Sequence, residues 1–238
     1  DESKAQQLAE SVTKETGTKT IAIQCDVLSA QSIEVADAEI AERLGPLSFL
    51  VNGAGGNAPA ATTQDERIKP DLSNLEGSFF GIDIDGFRQT MDLNLLGLVL
   101  PTHILGQRLM QQESSAIVNI SSMNAYRPLT RIPAYSAAKC AVSNFTQWLA
   151  VHLAPANVRV NAIAPGFFMT QQLRYLAYQE NDELSPRYQR VLDHTPMARF
   201  GETEELVDPL LFLLSDASRF ITGTIIPVDG GFNAYSGI

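Results

Sequence analysis

The sequence is poor in the residues from which metal centres and disulfide frameworks are built. Its 238 residues include only two cysteines and three histidines. Cys25 and Cys140 form no CxxC motif, and no group of Cys, His and carboxylate residues has the spacing of metal ligands. These absences argue against a metalloprotein and against a disulfide-stabilised secreted domain. A reducing compartment fits best, and the chain is expected to be cytoplasmic.

Positive charge and long apolar runs are also scarce. Lys and Arg number 17 against 27 Asp and Glu, which gives a net charge of −10 and argues against binding to nucleic-acid phosphates. No apolar run approaches the roughly 20 residues that span a bilayer, so no membrane partner is expected. Hydrophobic residues make up 45% of the chain, which is ordinary for a globular protein. The length suits one domain over residues 1–238.

Short apolar runs alternate with amphipathic segments along the chain. The pattern predicts strands at residues 20–25, 47–51, 117–120, 158–163 and 223–228. It predicts helices at residues 1–16, 32–44, 86–112, 135–153 and 202–214. This alternation is typical of βαβ units. The fold class is therefore α/β, a Rossmann-like doubly wound parallel sheet between two layers of helices, with ligands at the carboxyl ends of its strands.

Three side chains at one such strand end suggest acid–base chemistry. Ser122 follows the predicted strand at residues 117–120, and Tyr135 and Lys139 share one face of the next helix because they lie four residues apart. A phenol has a pKa near 10, and a cation within about 4–6 Å lowers it, so Lys139 is expected to lower the pKa of Tyr135.

The Ser122 hydroxyl would hold a substrate oxygen near the phenol while hydride leaves or reaches the adjoining carbon. No side chain carries a hydride, so a nicotinamide cofactor and a small-molecule substrate are implied. A Tyr-x-x-x-Lys pair alone has little weight, since a half-buried Tyr beside a solvated Lys is common.

Together with Ser122, the Tyr135–Lys139 pair resembles the short-chain dehydrogenase/reductase family. The resemblance implies that Tyr135 is the acid/base, that Lys139 also holds the nicotinamide ribose, and that Ser122 orients the substrate. It also implies that Asn94, in the predicted helix at residues 86–112, is a fourth catalytic residue that supports a proton-relaying water. The family commonly pairs through these helices, so a homo-oligomer, dimer or tetramer, is expected.

The same resemblance assigns residues to NAD or NADP. Asn52, Gly53 and Ala54 correspond to the family's Asn-Asn-Ala-Gly motif, with Gly53 in place of the second Asn. Asp26 and Val27 match positions at the adenine end of the cofactor. Pro165, Gly166 and Thr170 match the segment around the nicotinamide, while Tyr135 and Lys139 also contact the cofactor.

The family's first strand, glycine-rich phosphate loop, next helix and second strand have no counterpart here. Roughly 40 residues of a βαβ unit are therefore expected to be missing from this sequence. Those residues would select between NAD and NADP, so the sequence leaves that choice open.

Two polar segments are candidates for control of the substrate site. Residues 57–86 are long for a connection and are interpreted as an insertion forming a flap, with a plain surface loop as the alternative. Residues 171–199 are interpreted as a lid. Arg127, Arg131 and Arg174 are candidate ligands of a substrate carboxylate, although surface arginines are common.

The insertion and the last segment resemble family members that act on sugar acids, such as mannonate/fructuronate or gluconate oxidoreductases. A reductase of acyl-carrier-protein-bound or small carbonyl compounds is one alternative. A non-catalytic binding protein is another.

Overall fold

A four-stranded parallel sheet organises the computed structural model, which describes residues 2–179, 181 and 183–237. Its strands lie in chain order: β1 (Phe49–Asn52), β2 (Ser115–Ile120), β3 (Val158–Pro165) and β4 (Ile225–Val228). Each neighbouring pair is parallel. With helices on both faces, the sheet confirms the predicted three-layer, Rossmann-like α/β class.

The helices connect and cover these strands. They are α1 (Glu2–Thr16), α2 (Ala30–Arg43), α3 (Ile84–Met91), α4 (Gly97–Leu109), α5 (Pro133–Leu153), α6 (Gln171–Ala177), α7 (Pro186–Asp193) and α8 (Val207–Leu214). Their ends follow local rules: Gly17 adopts φ +72° after α1, and the Ser29 side chain accepts a hydrogen bond from the Ser32 amide at the start of α2.

Both faces of the central strands are buried, which explains their nearly continuous apolar sequences. On one face, Ile117 and Val160 pack in a core with Leu109 of α4 and Leu149 of α5. On the other face, Val118 and Ile163 pack against Leu213 of α8. The sheet is therefore held rigidly from both sides, and this holds the carboxyl ends of its strands in place.

The prediction of a strand at residues 20–25 is wrong. In the described part of the chain, this segment follows α1 without pairing to any strand, and the sheet has β1 at its edge. A strand is defined by hydrogen bonds to a neighbour, which sequence propensity cannot provide by itself.

The helix predicted at residues 86–112 is also corrected. The structure divides it into α3, a π-helical segment Asp92–Leu96, and α4. Similarly, the helix predicted at 202–214 begins as a 3₁₀ turn, Thr203–Leu206, before α8. The π segment bears on function, because it holds Asn94.

Helix α5 exposes part of its apolar outer surface, including 58% of Trp148 and 78% of Val151. The homo-oligomer and the single domain spanning residues 1–238 both stay predictions. Among the described residues, no helix combines the length and the apolar character required to cross a bilayer.

Candidate active site

The predicted site residues gather at one edge of the sheet because parallel strands end on the same side. The register pairs Asn52 with Asn119 and Ile120 with Ile163. Directly beyond these ends lie residues 53–56, Ser122, and Gly166. The chemistry-bearing loops are therefore built on a packed support.

Buried amides join the strand ends to the helices beneath them. The Asn52 side chain donates to Thr102 Oγ1 and to Asn119 Oδ1, both at 2.9 Å. Asn119 in turn donates to Thr146 Oγ1 at 2.9 Å. Because these polar groups satisfy one another inside the core, they fix the end of β1. The Asn52 side chain thus acts within the protein, beneath the turn that was assigned to the cofactor.

Asn94 is fully buried inside the π-helical segment, a form of helix frequently found at functional sites. Its Nδ2 donates to the carbonyl oxygens of Gly56 at 2.6 Å and Thr90 at 2.8 Å, and its Oδ1 accepts from the Gly56 amide at 3.2 Å. The side chain therefore clamps the loop after β1 against the helix.

Lys139 is 4% exposed, and its Nζ donates to the Ile120 carbonyl oxygen at 2.8 Å. Nζ also lies 5.6 Å from the centroid of the Tyr135 ring. Burial lowers the pKa of Lys139 from 10.5 to about 8, so the amine stays mainly charged at neutral pH. An ammonium group is thus held beside the phenol, as the four-residue spacing predicted.

Tyr135 and Ser122 complete the group. Burial raises the pKa of the Tyr135 phenol, and interaction with the Ser122 hydroxyl acts in the opposite, smaller direction. The expected lowering by Lys139 is therefore not what the structure gives, because loss of hydration outweighs other effects on the phenol. Ser122 Oγ accepts from the Asn124 amide at 3.2 Å, which fixes the hydroxyl while leaving its hydrogen to donate.

Gly55 brings Asn94 and Lys139 into one site. A Cβ built on Gly55 would stand 2.7 Å from Asn94 Oδ1 and 3.2 Å from Lys139 Nζ. Residues 53–55 are exposed and carry almost no side chain, so a flat ring and its ribose can approach this edge closely. The residues present therefore fit a nicotinamide nucleotide.

Gly55→Ala is expected to lower kcat at least tenfold, because the added methyl displaces Asn94 or the Lys139 amine from its position. Gly56→Ala is the matched control, since its Cβ would meet nothing within 4 Å. Steady-state kinetics on both variants, with thermal unfolding to confirm folding, tests this. Equal losses in the two variants would contradict it.

The other residues assigned to the cofactor lie around the same edge. Asp26 is exposed, and its carboxylate accepts from the Leu28 amide at 2.9 Å. Val27 packs on the start of α4, where its Cγ2 would lie 3.0 Å from a Cβ on Gly97. Their adenine contacts stay a prediction.

Pro165 ends β3, and the Gly166 amide donates to the Val228 carbonyl oxygen at 2.9 Å. A Cβ on Gly166 would come within 2.7 Å of Asp229 Cα, so only glycine fits this approach. Thr170 Oγ1 accepts from the Leu173 amide at 3.0 Å and caps α6. The capping role accounts for this threonine without a ligand, and its cofactor contact stays a prediction.

The three candidate substrate arginines differ in their surroundings. Arg127 Nη1 donates to the Tyr235 carbonyl oxygen at 2.7 Å, and so ties its loop to the C-terminal segment. Arg174 is exposed, with its guanidinium 5.9 Å from the Tyr178 ring centroid. Arg131 lies in the loop that leads into α5 and contacts the insertion. Arg131 Nε donates to the Thr63 carbonyl oxygen at 2.8 Å.

Residues 57–86 and 171–199, the predicted insertion and lid, contact each other directly. Glu66 of the insertion accepts from Arg187 at 2.8 Å and Arg190 at 2.6 Å, both on α7. Arg187 also donates to Thr130 Oγ1 at 3.1 Å, in the loop before α5. This insertion–lid contact joins three segments that are remote in sequence. Sequence patterns gave no sign of it, because neither Glu66 nor Arg190 belongs to a recognisable motif.

Aromatic rings continue the site from Gly166 toward the lid. Phe167 contacts the rings of Phe232 and Tyr188, with centroid distances of 5.7 and 6.1 Å. Tyr188 also contacts Phe200 at 6.5 Å. A cavity of about 490 Å³ adjoins Phe167 at the end of β4, but its lining does not include Ser122, Tyr135 or Lys139. The reacting atoms are therefore expected at the open edge above β2, outside this cavity.

Comparison with known proteins gives consistent matches over nearly the whole chain. The model of a family described as enoyl-(acyl carrier protein) reductase matches residues 1–233. An uncharacterised oxidoreductase of Haemophilus influenzae is 44% identical over 97% of this chain and 82% of its own length. The uncharacterised oxidoreductase UxuB of Bacillus subtilis is 43% identical, over 99% of this chain and 84% of its own length.

A solved structure shares this fold closely. It is a candidate D-mannonate oxidoreductase of Haemophilus influenzae with bound NAD, 43% identical to this chain, with a TM-score of 0.95. The match covers 100% of this chain and 85% of that protein.

Proposed function

Because the chain belongs to the short-chain dehydrogenase/reductase family and is an oxidoreductase, we propose that it interconverts an alcohol and a ketone on a sugar acid. NAD or NADP carries the hydride. The observation that carries the proposal is the assembly at the end of β2, where Ser122, Tyr135 and Lys139 adjoin the glycine-rich turn after β1.

The cofactor would rest on the exposed turn at residues 53–55, with its ribose toward Lys139, and when bound it supplies or accepts the hydride. Substrate binding and proton transfer are carried out by side chains of the protein. Ser122 donates a hydrogen bond to the substrate oxygen, and Tyr135 exchanges a proton with that same oxygen. Asn94 holds the turn in place through Gly56.

The resting site holds Tyr135 as a protonated phenol. Its raised pKa keeps the phenol protonated at neutral pH, ready to give its proton to a carbonyl oxygen as that oxygen gains charge. The Lys139 ammonium, held on the Ile120 carbonyl, stabilises the phenolate that remains. In ketone reduction Tyr135 is therefore the proton donor, and in alcohol oxidation the same oxygen takes the proton back.

Two observations support a sugar acid as substrate. The structural neighbour described above is a candidate D-mannonate oxidoreductase. In addition, Arg187 and Arg190 pair with the same carboxylate, Glu66, so this contact carries one more positive charge than negative charge. A local excess of cations in an acidic protein favours an anionic substrate.

A substrate panel on the full-length protein tests this proposal. Hexonates and hexuronates are expected to give at least tenfold higher kcat/KM than matching neutral polyols and short acyl ketones. NAD and NADP are both supplied, and nicotinamide absorbance reports turnover. Equal or better kcat/KM on neutral polyols would reject the sugar acid while leaving hydride transfer in place.

The second candidate is an acyl-carrier-protein-bound carbonyl compound, because the matching family model is described as a reductase of acyl-carrier-protein-bound substrates. The acyl ketones in the same panel separate the two. Absence of turnover on every compound in the panel by correctly folded protein would reject both substrate classes.

A further inference from the structure

Tyr188 lies where the lid meets the catalytic edge, although no sequence pattern singles it out. It is half-buried on α7, and its ring packs against Phe167, which directly follows Gly166. Phe200 supports the ring from another side. Within the described ranges, the Tyr188 hydroxyl makes no hydrogen bond to another residue. Two aromatic contacts therefore hold the half-buried Tyr188 ring in place, while its hydroxyl has no hydrogen-bond partner among the described residues.

Arg131 presents a second unpartnered donor. Its Nε donates to the Thr63 carbonyl oxygen at 2.8 Å, while the Thr63 amide donates back to the Arg131 carbonyl oxygen at 2.8 Å. The terminal guanidinium nitrogens form no hydrogen bond or ion pair to the residues that the structure describes. Thr63 thus holds the Arg131 backbone and Nε. The two terminal guanidinium nitrogens of Arg131 are left free to donate to a ligand.

Arg131 also has strained backbone geometry, with φ +77°. A left-handed conformation is uncommon for a non-glycine residue with a long side chain, and it persists only where surrounding contacts enforce it. Here the reciprocal hydrogen bonds with Thr63 enforce it. Such strain is concentrated at ligand clamps and active sites. Arg131 lies two residues before the start of α5 at Pro133 and four residues before Tyr135.

The charges around Tyr188 favour an anion. Arg131 and Arg187 are both close enough for their positive charges to lower the pKa of Tyr188, although burial dominates and raises it overall. Glu66 is the carboxylate that pairs with Arg187 and Arg190. Three guanidinium groups and one carboxylate leave an excess of positive charge. The protonated Tyr188 phenol carries no negative charge, so it can donate a hydrogen bond to an anion without repelling it.

On the basis of the proposed function, we propose that Tyr188 and Arg131 together bind the substrate carboxylate, the Tyr188 hydroxyl and the outer Arg131 nitrogens being its donors. Glu66 and Thr63 are positioning residues: Glu66 holds α7 through Arg187 and Arg190, and Thr63 holds Arg131. The insertion at residues 57–86 therefore determines specificity through these contacts.

Tyr188→Phe tests the inference without disturbing the core, because the ring keeps its contacts with Phe167 and Phe200. In full-length protein, KM for hexonates or hexuronates is expected to rise about tenfold, since a charge-assisted hydrogen bond is lost. The kcat value should change less than threefold, and KM for a neutral polyol should be unchanged. Arg131→Gln should raise KM for the acids by at least as much.

Tyr175→Phe is the matched control, because that phenol lies on the neighbouring helix α6 and is 86% exposed. It should leave all kinetic constants unchanged. If the parent prefers acids but Tyr188→Phe and Tyr175→Phe have the same KM, the role of Tyr188 is overturned and the proposed function stands. If the parent itself prefers neutral polyols or acyl ketones, the proposed function fails, and the carboxylate site fails with it.

Discussion

Replacing Tyr135 with phenylalanine is expected to lower kcat by about 10³-fold, within the range that general acid–base catalysis contributes. The ring is retained, so its packing beside Lys139 persists, and only the hydroxyl that exchanges the proton is lost. Tyr135 is the phenol that interacts with the Ser122 hydroxyl and packs beside the Lys139 amine. KM should change little, because Ser122 still donates to the substrate oxygen.

Tyr126→Phe provides the comparison within the same segment. The Tyr126 hydroxyl donates to the Ile225 carbonyl oxygen at 3.0 Å, so its removal costs a hydrogen bond, but none at the reacting atoms. Its kcat should stay within about threefold of the parent, with a loss of stability of about 1 kcal/mol. Single-turnover measurements of hydride transfer, with circular dichroism to confirm folding, distinguish the two. Near-parental transfer in Tyr135→Phe would remove the phenol from the mechanism.

The sequence was a good guide wherever function depends on local geometry. The four-residue spacing of Tyr135 and Lys139 predicted their shared face, and the apolar run before Ser122 predicted a buried strand that ends at the site. Both features follow from the fixed periods of helices and strands. The segment at residues 20–25 shows the limit of this reasoning, since a strand also requires a neighbour.

Contacts between remote segments lay beyond sequence reasoning. Glu66 and Arg187 are 121 positions apart, and nothing in either local pattern announces their hydrogen bond. The left-handed backbone conformation of Arg131 could not be predicted either, because Arg131 is not a glycine, the residue that usually signals a positive φ. Asn94 could be matched by resemblance, but not its π-helical surroundings, which depend on how α3 and α4 pack. Burial of Tyr135 likewise reversed the expected direction of its pKa.

Lys139→Met is expected to abolish most turnover and yet make the protein more stable at neutral pH. The pKa of Lys139 falls from 10.5 to about 8 on folding, so burying the charged amine costs about 3 kcal/mol below pH 8. Methionine fills similar space without charge. It loses the hydrogen bond to the Ile120 carbonyl oxygen, worth about 1 kcal/mol, so the net gain should be about 2 kcal/mol. In the proposed mechanism Tyr135 needs this charge, so the charge is kept at a cost in stability.

The pH dependence supplies a sharper test, because the sign of the effect is fixed. Between pH 8 and 10.5 the unfolded parent binds more protons at this lysine than the folded parent does, so parental stability should rise with pH relative to Lys139→Met. The stability advantage of Lys139→Met should therefore be largest below pH 8 and shrink as pH increases.

Lys19→Met is the matched control, since exposed Lys19 also donates to a carbonyl oxygen, that of Arg43 at 2.7 Å. Its activity should match the parent, and the loss of that hydrogen bond should lower stability by about 1 kcal/mol or less, by the same amount at every pH. Denaturant unfolding across this range decides the matter, and a Lys139→Met protein less stable than the parent at pH 7 would show that the ammonium group stabilises the fold.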